Sequence, residues 1–233
     1  MKRFLLVVLA LLMVFATLGS ASPASDFAPR DAQDGKLQAL SCLGVCAFSA
    51  EYNSDRSTLC RWENEIKVYA GGSPTSDDLR ELDAFLMELS FRVPLLPVMT
   101  RVSAEQEANV TIYYVPLNSM AAHVNSYVEG NWGYFSYSNY ASGEMAAGRI
   151  ALANDVTNQR QRNHLMREEL VGVLGLSNDH TLYADSIVYQ PWTEVQELSE
   201  IDWLMLNMVY SPHVDSGMSY KEVYAVLYPT IVP

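Results

Sequence analysis

The alternation of apolar and polar positions predicts the first regular elements of the fold. Apolar and polar residues alternate over 65–70 until Gly71-Gly72 ends the run, which is the pattern of a half-buried strand. Capping hydroxyls and acidic residues then open a helix over 76–92, whose apolar positions recur at helical spacing until Pro94. These segments predict a strand followed by a helix.

Two more strands and two more helices follow from the same reasoning. β-branched and aromatic residues over 110–115 predict a sheet strand, and a second apolar run predicts a strand over 148–154. Helical periodicity predicts helices over 158–174 and over 199–210. The elements indicate an α+β domain in which helices 76–92 and 158–174 back a mixed, twisted sheet.

The N-terminal residues predict an exported protein. A basic start, an apolar run and a group of small residues form the pattern of a signal peptide over 1–21. Small, proline and acidic residues over 22–36 predict a flexible tether, which leaves 37–233 as a single domain. We therefore expect a bacterial protein that is secreted or held in the periplasm or cell envelope, with no membrane span after signal cleavage.

Charge and cysteine content narrow the function classes. The formal net charge of −12 repels nucleic-acid phosphates and anionic lipid headgroups, so we expect no nucleic-acid partner. In an oxidising compartment Cys42, Cys46 and Cys60 predict one disulfide and one free thiol, with Cys60 as one partner. A zinc site made by the three cysteines is less favoured, because no histidine stands nearby at finger-like spacing.

The segment 164–180 carries the candidate chemistry of a metal site. On a helix, His164 and Glu168 lie one turn apart on a single face and could reach one metal ion. Side chains just beyond the end of that helix could complete the ligand set. The candidate metal ligands, with zinc as the metal and Glu169 as the general base, are His164, Glu168, Asp179 and His180. The alternative is that these side chains form the solvated face of an amphipathic helix.

The spacing of this segment resembles the active-site helix of the metzincin zinc peptidases. Those enzymes carry H-E-x-x-H-x-x-G-x-x-H or D, in which the histidines bind zinc and the glutamate activates water. Here Glu168 and Glu169 occupy the positions of the first histidine and the glutamate, and Gly175 that of the glycine. Gly172 and Asn178 stand at the second histidine and the third ligand, so two metzincin ligands are replaced.

Flanking segments extend this resemblance. Residues 185–189 are similar to the Met-turn that underlies the metal, and 199–210 is similar to the closing helix of matrixin-type members. Strand 148–154 would then correspond to the edge strand along the substrate cleft. The resemblance implies a metzincin-like fold: a mixed twisted sheet with a backing helix, an active-site-type helix and a C-terminal helix.

Several short blocks in a fixed order carry a second resemblance over most of the chain. The blocks are Arg61-Trp62, 108–112, Glu168-Glu169, 174–176, 178–179 and 185–187. They are similar to a bacterial exported and lipoprotein family called domain of unknown function twenty-nine twenty-seven. That resemblance implies a fold and a compartment, and it implies no reaction.

Three functional hypotheses follow. The favoured one is a degenerate zincin that has lost its metal, whose cleft binds a peptide, a cell-envelope polymer or a partner protein. The second is an active zinc-dependent peptidase or hydrolase with an atypical ligand set and Glu169 as the general base. In the third, the acidic residues are structural and an aromatic loop over 127–140 recognises carbohydrate or peptide.

Overall fold

The structure, a computed structural model, describes residues 31–49 and 58–232 and is built on a five-stranded sheet. In chain order the strands are β1 (Ile66–Gly72), β2 (Met99–Val102), β3 (Val110–Val115), β4 (Gly133–Asn139) and β5 (Met145–Ala153). Their order across the sheet is β2-β1-β3-β5-β4, with the first four parallel and β4 antiparallel to β5. Strands β2 and β4 are therefore the two edges.

The described residues also form five α-helices. They are α1 (Ala32–Cys46), α2 (Ser76–Arg92), α3 (Gln159–Val173), α4 (Glu200–Val209) and α5 (Tyr220–Ile231), and two 3-10 helices span Glu105–Glu107 and Leu117–Ala122. Helix α3 packs against α2, β4 and β5, while α1 packs against α4 and α5. In the ranges 31–49 and 58–232, none of the helices has both the length and the apolar character that crossing a bilayer requires.

Helix α3 lies between the sheet and the C-terminal helices, and buried hydrogen bonds hold its C-terminal end. The Trp62 indole N–H donates to the carbonyl of Val173 at 3.0 Å, and the Tyr210 hydroxyl donates to the carbonyl of Leu174 at 2.9 Å. These donors satisfy carbonyls that a helix end leaves without partners. The C-terminal end of α3, which follows the candidate site residues, is thereby held in place.

Local capping explains where four of the helices begin. Each starts with a capping box, in which a side chain before the helix and one in its first turn bond each other's backbone N–H. The four pairs are Thr75 with Asp78, Asn158 with Gln161, Ser199 with Asp202 and Ser219 with Glu222. The α+β class is confirmed, as are the strands predicted at 65–70, 110–115 and 148–154 and the helices predicted at 76–92, 158–174 and 199–210.

Helix α1 begins inside the segment predicted to be a tether. The Asp31 carboxylate accepts a hydrogen bond from the backbone N–H of Asp34 at 2.8 Å and so caps the helix. Leu40 and Leu43 of α1 are fully buried in the core. Residues 32–36 are therefore helical, which corrects the tether boundary, and the predicted signal peptide and the rest of the tether lie outside the described residues.

The segment predicted to be an aromatic loop contains a strand. Residues 133–139 form β4, which pairs with β5 along its length. The prediction of a loop over 127–140 is therefore wrong for half of that segment. The predicted edge position of strand 148–154 is also wrong, because β5 lies between β3 and β4.

The predicted disulfide is wrong. Cys42, Cys46 and Cys60 all lie in the described residues, where they are free thiols buried in the core. Burial raises the pKa of Cys42 to about 11 and raises the pKa of Cys46 well above its usual value. A thiol that holds its proton is a poor nucleophile, so Cys42 and Cys46 act as small core side chains.

Candidate functional site

A cavity of about 680 Å³ opens between β4, the polar face of α3 and the segment 189–193. Ligand sites commonly have volumes in this range, from about 300 to 1,000 Å³. Among the described residues that line it, none is lysine or arginine. The lining that matters for its chemistry is aromatic and acidic, and includes Trp132, Trp192, His164, Glu168, Glu169 and Asp179.

The free edge of β4 forms one wall of the cavity. Six of the seven residues of β4 line it, although successive residues of a strand point to opposite faces. The Ala153 N–H donates to Trp132 O, and the Gly148 N–H donates to Asn109 O on the β3 side. Because antiparallel pairs alternate, the N–H and C=O of Phe135 point away from β5 and toward the cavity.

The polar face of α3 is buried instead of solvated. His164 is 2% exposed and Glu169 is 8% exposed, while the Glu168 side chain remains partly accessible at the cavity wall. Strand β4 packs directly on this helix. The alternative of a solvated helix face is therefore wrong for His164 and Glu169, whose surroundings are set by tertiary packing.

His164 is fixed in one tautomer. Its Nδ1 lies 2.9 Å from the carbonyl oxygen of Val195, which can only accept, so Nδ1 carries the proton. Burial lowers the pKa of His164, so the ring is neutral at pH 7. Its Nε2 lone pair faces Glu168, with 3.5 Å between Nε2 and Oε2.

Glu169 occupies the space that a glycine on β4 leaves open. A Cβ built on Gly133 would stand 2.5 Å from Glu169 Oε1, closer than any real contact allows. Glu169 and Glu168 both line the cavity, so the two adjacent carboxylates of α3 reach the same space. Any side chain at position 133 would displace Glu169.

The residues at the two replaced metzincin ligand positions make packing and hydrogen-bond contacts with other parts of the fold. The ring of Phe135 fills the space above Gly172, where a Cβ would lie 2.6 Å from the nearest ring carbon. Asn178 turns toward α1, and its Nδ2 donates to the hydroxyl of Ser49 at 2.7 Å. The second histidine position and the third ligand position therefore face no shared metal site.

The structure separates the two candidate ligands that follow α3. Asp179 lines the cavity with His164 and Glu168, whereas His180 is not among the lining residues. His180 is buried, and its Nδ1 accepts the backbone N–H of Leu182 at 3.1 Å. In the described residues, no three histidine, cysteine, aspartate or glutamate side chains are grouped closely enough to hold a metal ion.

A buried hydrogen-bond chain explains the position of His180. With Nδ1 accepting, Nε2 carries the proton and donates to Ser186 Oγ at 3.1 Å. Ser186 in turn donates to Asp202 Oδ1 at 2.5 Å. His180, Ser186 and Asp202 thus tie the segment 185–189 to helix α4.

His180 predicts a loss of stability in acid. Burial lowers its pKa to about 4, against about 6.5 in an unfolded chain. The unfolded state therefore takes up the proton first, and stability falls as the pH drops from about 6.5 to about 4, by about 3 kcal/mol from this group. Urea unfolding at several pH values between 7 and 4 should show this slope, and His180→Gln should lack it.

The exposed His213 provides the matched control for this experiment. His213→Gln should leave the pH dependence of the wild-type protein unchanged, because the His213 side chain is exposed to solvent. If the stability of His180→Gln falls with pH as steeply as that of the wild-type protein, His180 is not the group responsible for the loss of stability in acid.

Sequence reasoning placed Trp132 in a candidate recognition loop but missed its contact with Trp192 in the cavity lining. Trp132 precedes β4, and Trp192 follows Pro191 in a segment without regular secondary structure. The two rings lie 5.6 Å apart at an interplanar angle of 76°. No periodicity in either segment points to this contact, because it forms between parts of the chain that are distant in sequence.

The fold and the cavity define an α+β protein in which an antiparallel edge strand and a buried helix with adjacent carboxylates enclose a cleft. The chain belongs to the DUF2927 family, described as protein of unknown function, whose sequence model matches residues 45–228. This confirms the resemblance to that family, whose description assigns no activity. No curated protein matches the chain.

Proposed function

We propose that this protein is a non-hydrolytic binding protein with a metzincin-like fold, whose cavity holds an extended segment of a peptide or partner protein beside β4. The sheet order, the antiparallel edge strand at the cleft and the helix that stops before Gly175 support the fold assignment. The predicted signal peptide supports a location outside the cytoplasm, secreted or in the cell envelope.

The observation that carries this proposal is the edge of β4 at the cavity wall. An edge strand presents backbone N–H and C=O groups with which an added strand can pair. Phe135 presents both groups on the side away from β5, and the neighbouring β4 residues line the same wall. A peptide backbone satisfies these groups at regular spacing, which favours a peptide over a carbohydrate polymer.

The replaced ligand positions favour binding over hydrolysis. A zinc peptidase needs about three protein ligands and an open position for water. Phe135 fills the space at Gly172, and Asn178 is hydrogen-bonded to Ser49, which follows α1. The metzincin ligand set therefore does not fit the residues of this chain.

An N-methyl scan tests strand addition directly. An array of capped, randomised heptapeptides provides a binding peptide, and each of its amides is then methylated in turn. Methyl groups on alternate amides should weaken binding on the order of tenfold or more, and those on the intervening amides should be tolerated. Uniform tolerance, or binding to a glycan array with no peptide binding, would overturn the proposal.

Two substitutions at Phe135 separate the backbone from the ring. Phe135→Ala and Phe135→Pro both remove the ring, but only the proline removes the N–H that faces the cavity. The proline variant should bind the selected peptide several-fold more weakly than the alanine variant, with both folded by circular dichroism. Equal affinity of the two variants would show that this N–H takes no part.

One specific observation favours the second candidate function, an atypical zinc peptidase. Many metal-ligating histidines donate one ring N–H to a carbonyl and bind the metal through the other ring nitrogen, beside a carboxylate. His164 has this arrangement, with Val195 and Glu168 as its neighbours. Under this candidate Asp179 is the further ligand in the cavity, and Glu169 is the general base.

Metal content decides between the two candidates. Elemental mass spectrometry on the purified protein, as isolated and after dialysis against zinc, should find no stoichiometric metal if the binding proposal is correct. Near-stoichiometric zinc that is lost in both His164→Ala and Glu168→Ala would favour the peptidase. His213→Ala is the control, because His213 is exposed and distant in sequence from the cavity residues.

A further inference from the structure

Perpendicular aromatic rings stand at the mouth of the cavity. Trp132 and Trp192, here called the tryptophan corner, are 5.6 Å apart at 76°. The ring of Trp192 also meets His164 at 5.5 Å and 79°. Trp192 is 52% exposed, so a large aromatic surface at the cavity mouth remains accessible to a ligand.

The surroundings of the tryptophan corner are acidic. The ring of His164 meets Trp192, and its Nε2 lies 3.5 Å from Glu168 Oε2, so Glu168 lines the cavity together with the corner. Glu169 and Asp179 line the same cavity. Two arginines of α3 pair with acidic side chains that do not line the cavity, Arg160 with Glu194 at 3.5 Å and Arg167 with Glu81 at 3.1 Å.

We infer that the tryptophan corner is a subsite for a basic side chain, lysine or arginine, of the bound peptide. This inference rests on the proposed function and names the chemistry of its ligand. A cation over a tryptophan face is attracted by the ring quadrupole, and a neighbouring carboxylate adds a charge-assisted hydrogen bond. The net charge of −12 further favours the approach of a cationic ligand.

Other side chains fit this subsite less well. An apolar side chain would cover Glu168 without offering it a hydrogen bond, which costs the hydration of the carboxylate. An acidic side chain would meet Glu168, Glu169 and Asp179 with like charge. The lining therefore selects positive charge by favouring a cation and also by rejecting its competitors.

Four heptapeptide mixtures test this selection. Each is capped and randomised except for its central residue, which is lysine, arginine, norleucine or glutamate. The lysine and arginine mixtures should bind on the order of tenfold more tightly than norleucine, and the glutamate mixture more weakly still. The advantage of lysine should shrink as salt is raised, because screening weakens the charge contribution.

Two variants of Trp192 test whether the tryptophan corner causes the preference for lysine. Trp192→Ala should weaken the binding of the lysine mixture more than that of the norleucine mixture and so remove most of the lysine advantage, whereas Trp192→Phe should retain much of it. Tyr140→Ala is the matched control, since Tyr140 is an exposed aromatic residue beside β4 that does not line the cavity.

The outcomes distinguish this inference from the proposed function. Equal binding of the lysine and norleucine mixtures would overturn the subsite and leave peptide binding intact. Failure of all four mixtures to bind would overturn both. Binding of Nα-acetyl-lysine methylamide as tightly as the lysine mixture would support the subsite and contradict strand addition.

Discussion

Replacing Asp78 with alanine is expected to lower the free energy of unfolding by about 3–5 kcal/mol. Asp78 is 2% exposed and accepts a hydrogen bond from Arg162 Nε at 3.0 Å, so the variant leaves a buried guanidinium without its counterion. The same carboxylate caps α2 through Thr75 and accepts from Gln159. It therefore fixes the starts of α2 and α3 to each other, and urea unfolding at pH 7 measures the loss.

The pH dependence of Asp78→Asn adds a second test. Burial by itself would raise the pKa of Asp78, but the hydrogen bonds from Thr75, Gln159 and Arg162 outweigh it and the pKa is lowered. A lowered carboxyl pKa stabilises the fold above the unfolded value, and that stability is lost as the pH falls through the folded value. The difference between wild type and Asp78→Asn should therefore shrink in acid.

Asp83 is the control for Asp78, because it forms a comparable arginine pair at the surface. Its carboxylate bonds Arg101 at 2.6 Å, with both side chains substantially exposed. Asp83→Ala should cost about 1 kcal/mol or less. Similar losses in Asp78→Ala and Asp83→Ala would refute the role given to the buried pair.

Replacing Asp202 with alanine is expected to destabilise the protein by a similar amount, about 3–5 kcal/mol. Asp202 is 0% exposed, and its oxygens accept from Ser186 Oγ, the backbone N–H of Ile187, and both the N–H and the hydroxyl of Ser199. The variant leaves these buried donors unsatisfied. Guanidinium unfolding should show the loss, with Asp202→Asn less affected because it keeps one acceptor.

The capping box of α5 supplies the control for Asp202. Glu222 makes the same contacts to Ser219 that Asp202 makes to Ser199, but Glu222 lies at the surface. Glu222→Ala should destabilise the protein much less than Asp202→Ala, because its helix-capping contacts lie at the surface, where water can satisfy the freed donors. If Asp202→Ala costs no more than Glu222→Ala, the link between α4 and the segment 185–189 is not what stabilises this region.

These two buried aspartates also bear on the cavity. Asp78 holds the start of α3, which carries His164 one turn later, and Asp202 holds the segment that leads toward Trp192. In either alanine variant the cavity wall should unfold locally before the whole sheet unfolds, because local unfolding breaks fewer contacts than global unfolding. Peptide binding should therefore weaken in both variants even under conditions where each remains folded.

The sequence determined the elements whose signals are local. The helix predicted over 76–92 has the same bounds as α2, and the helix predicted over 158–174 contains α3, because capping boxes and apolar spacing act within a few residues. Helix α1 escaped prediction because its first turn has the small and acidic composition of a tether. Strand β4 escaped because its aromatic and serine residues lie in a long segment rich in glycine and polar residues, where pairing with β5 decides the conformation.

Some features of the candidate site also follow from local sequence, and others depend on tertiary packing. Helical geometry alone places His164, Glu168 and Glu169 close together, since residues one turn apart share a face. Only the tertiary structure decided that this face is buried, that Phe135 fills the space above Gly172, and which residues after α3 reach the cavity. Asp179 and His180 are neighbours in sequence, yet the hydrogen bonds of His180 to Ser186 and Leu182 hold it away from the cavity lining.

The state of the cysteines and the contact in the tryptophan corner also depend on tertiary packing and could not be predicted from local sequence. Compartment and spacing predicted a disulfide, but core packing places Cys42, Cys46 and Cys60 as buried thiols. Trp132 and Trp192 meet across sixty residues of chain, a contact that no local pattern encodes. Secondary structure follows from interactions between near neighbours in sequence, whereas the cavity forms where distant segments pack, and its chemistry depends on which side chains that packing brings together.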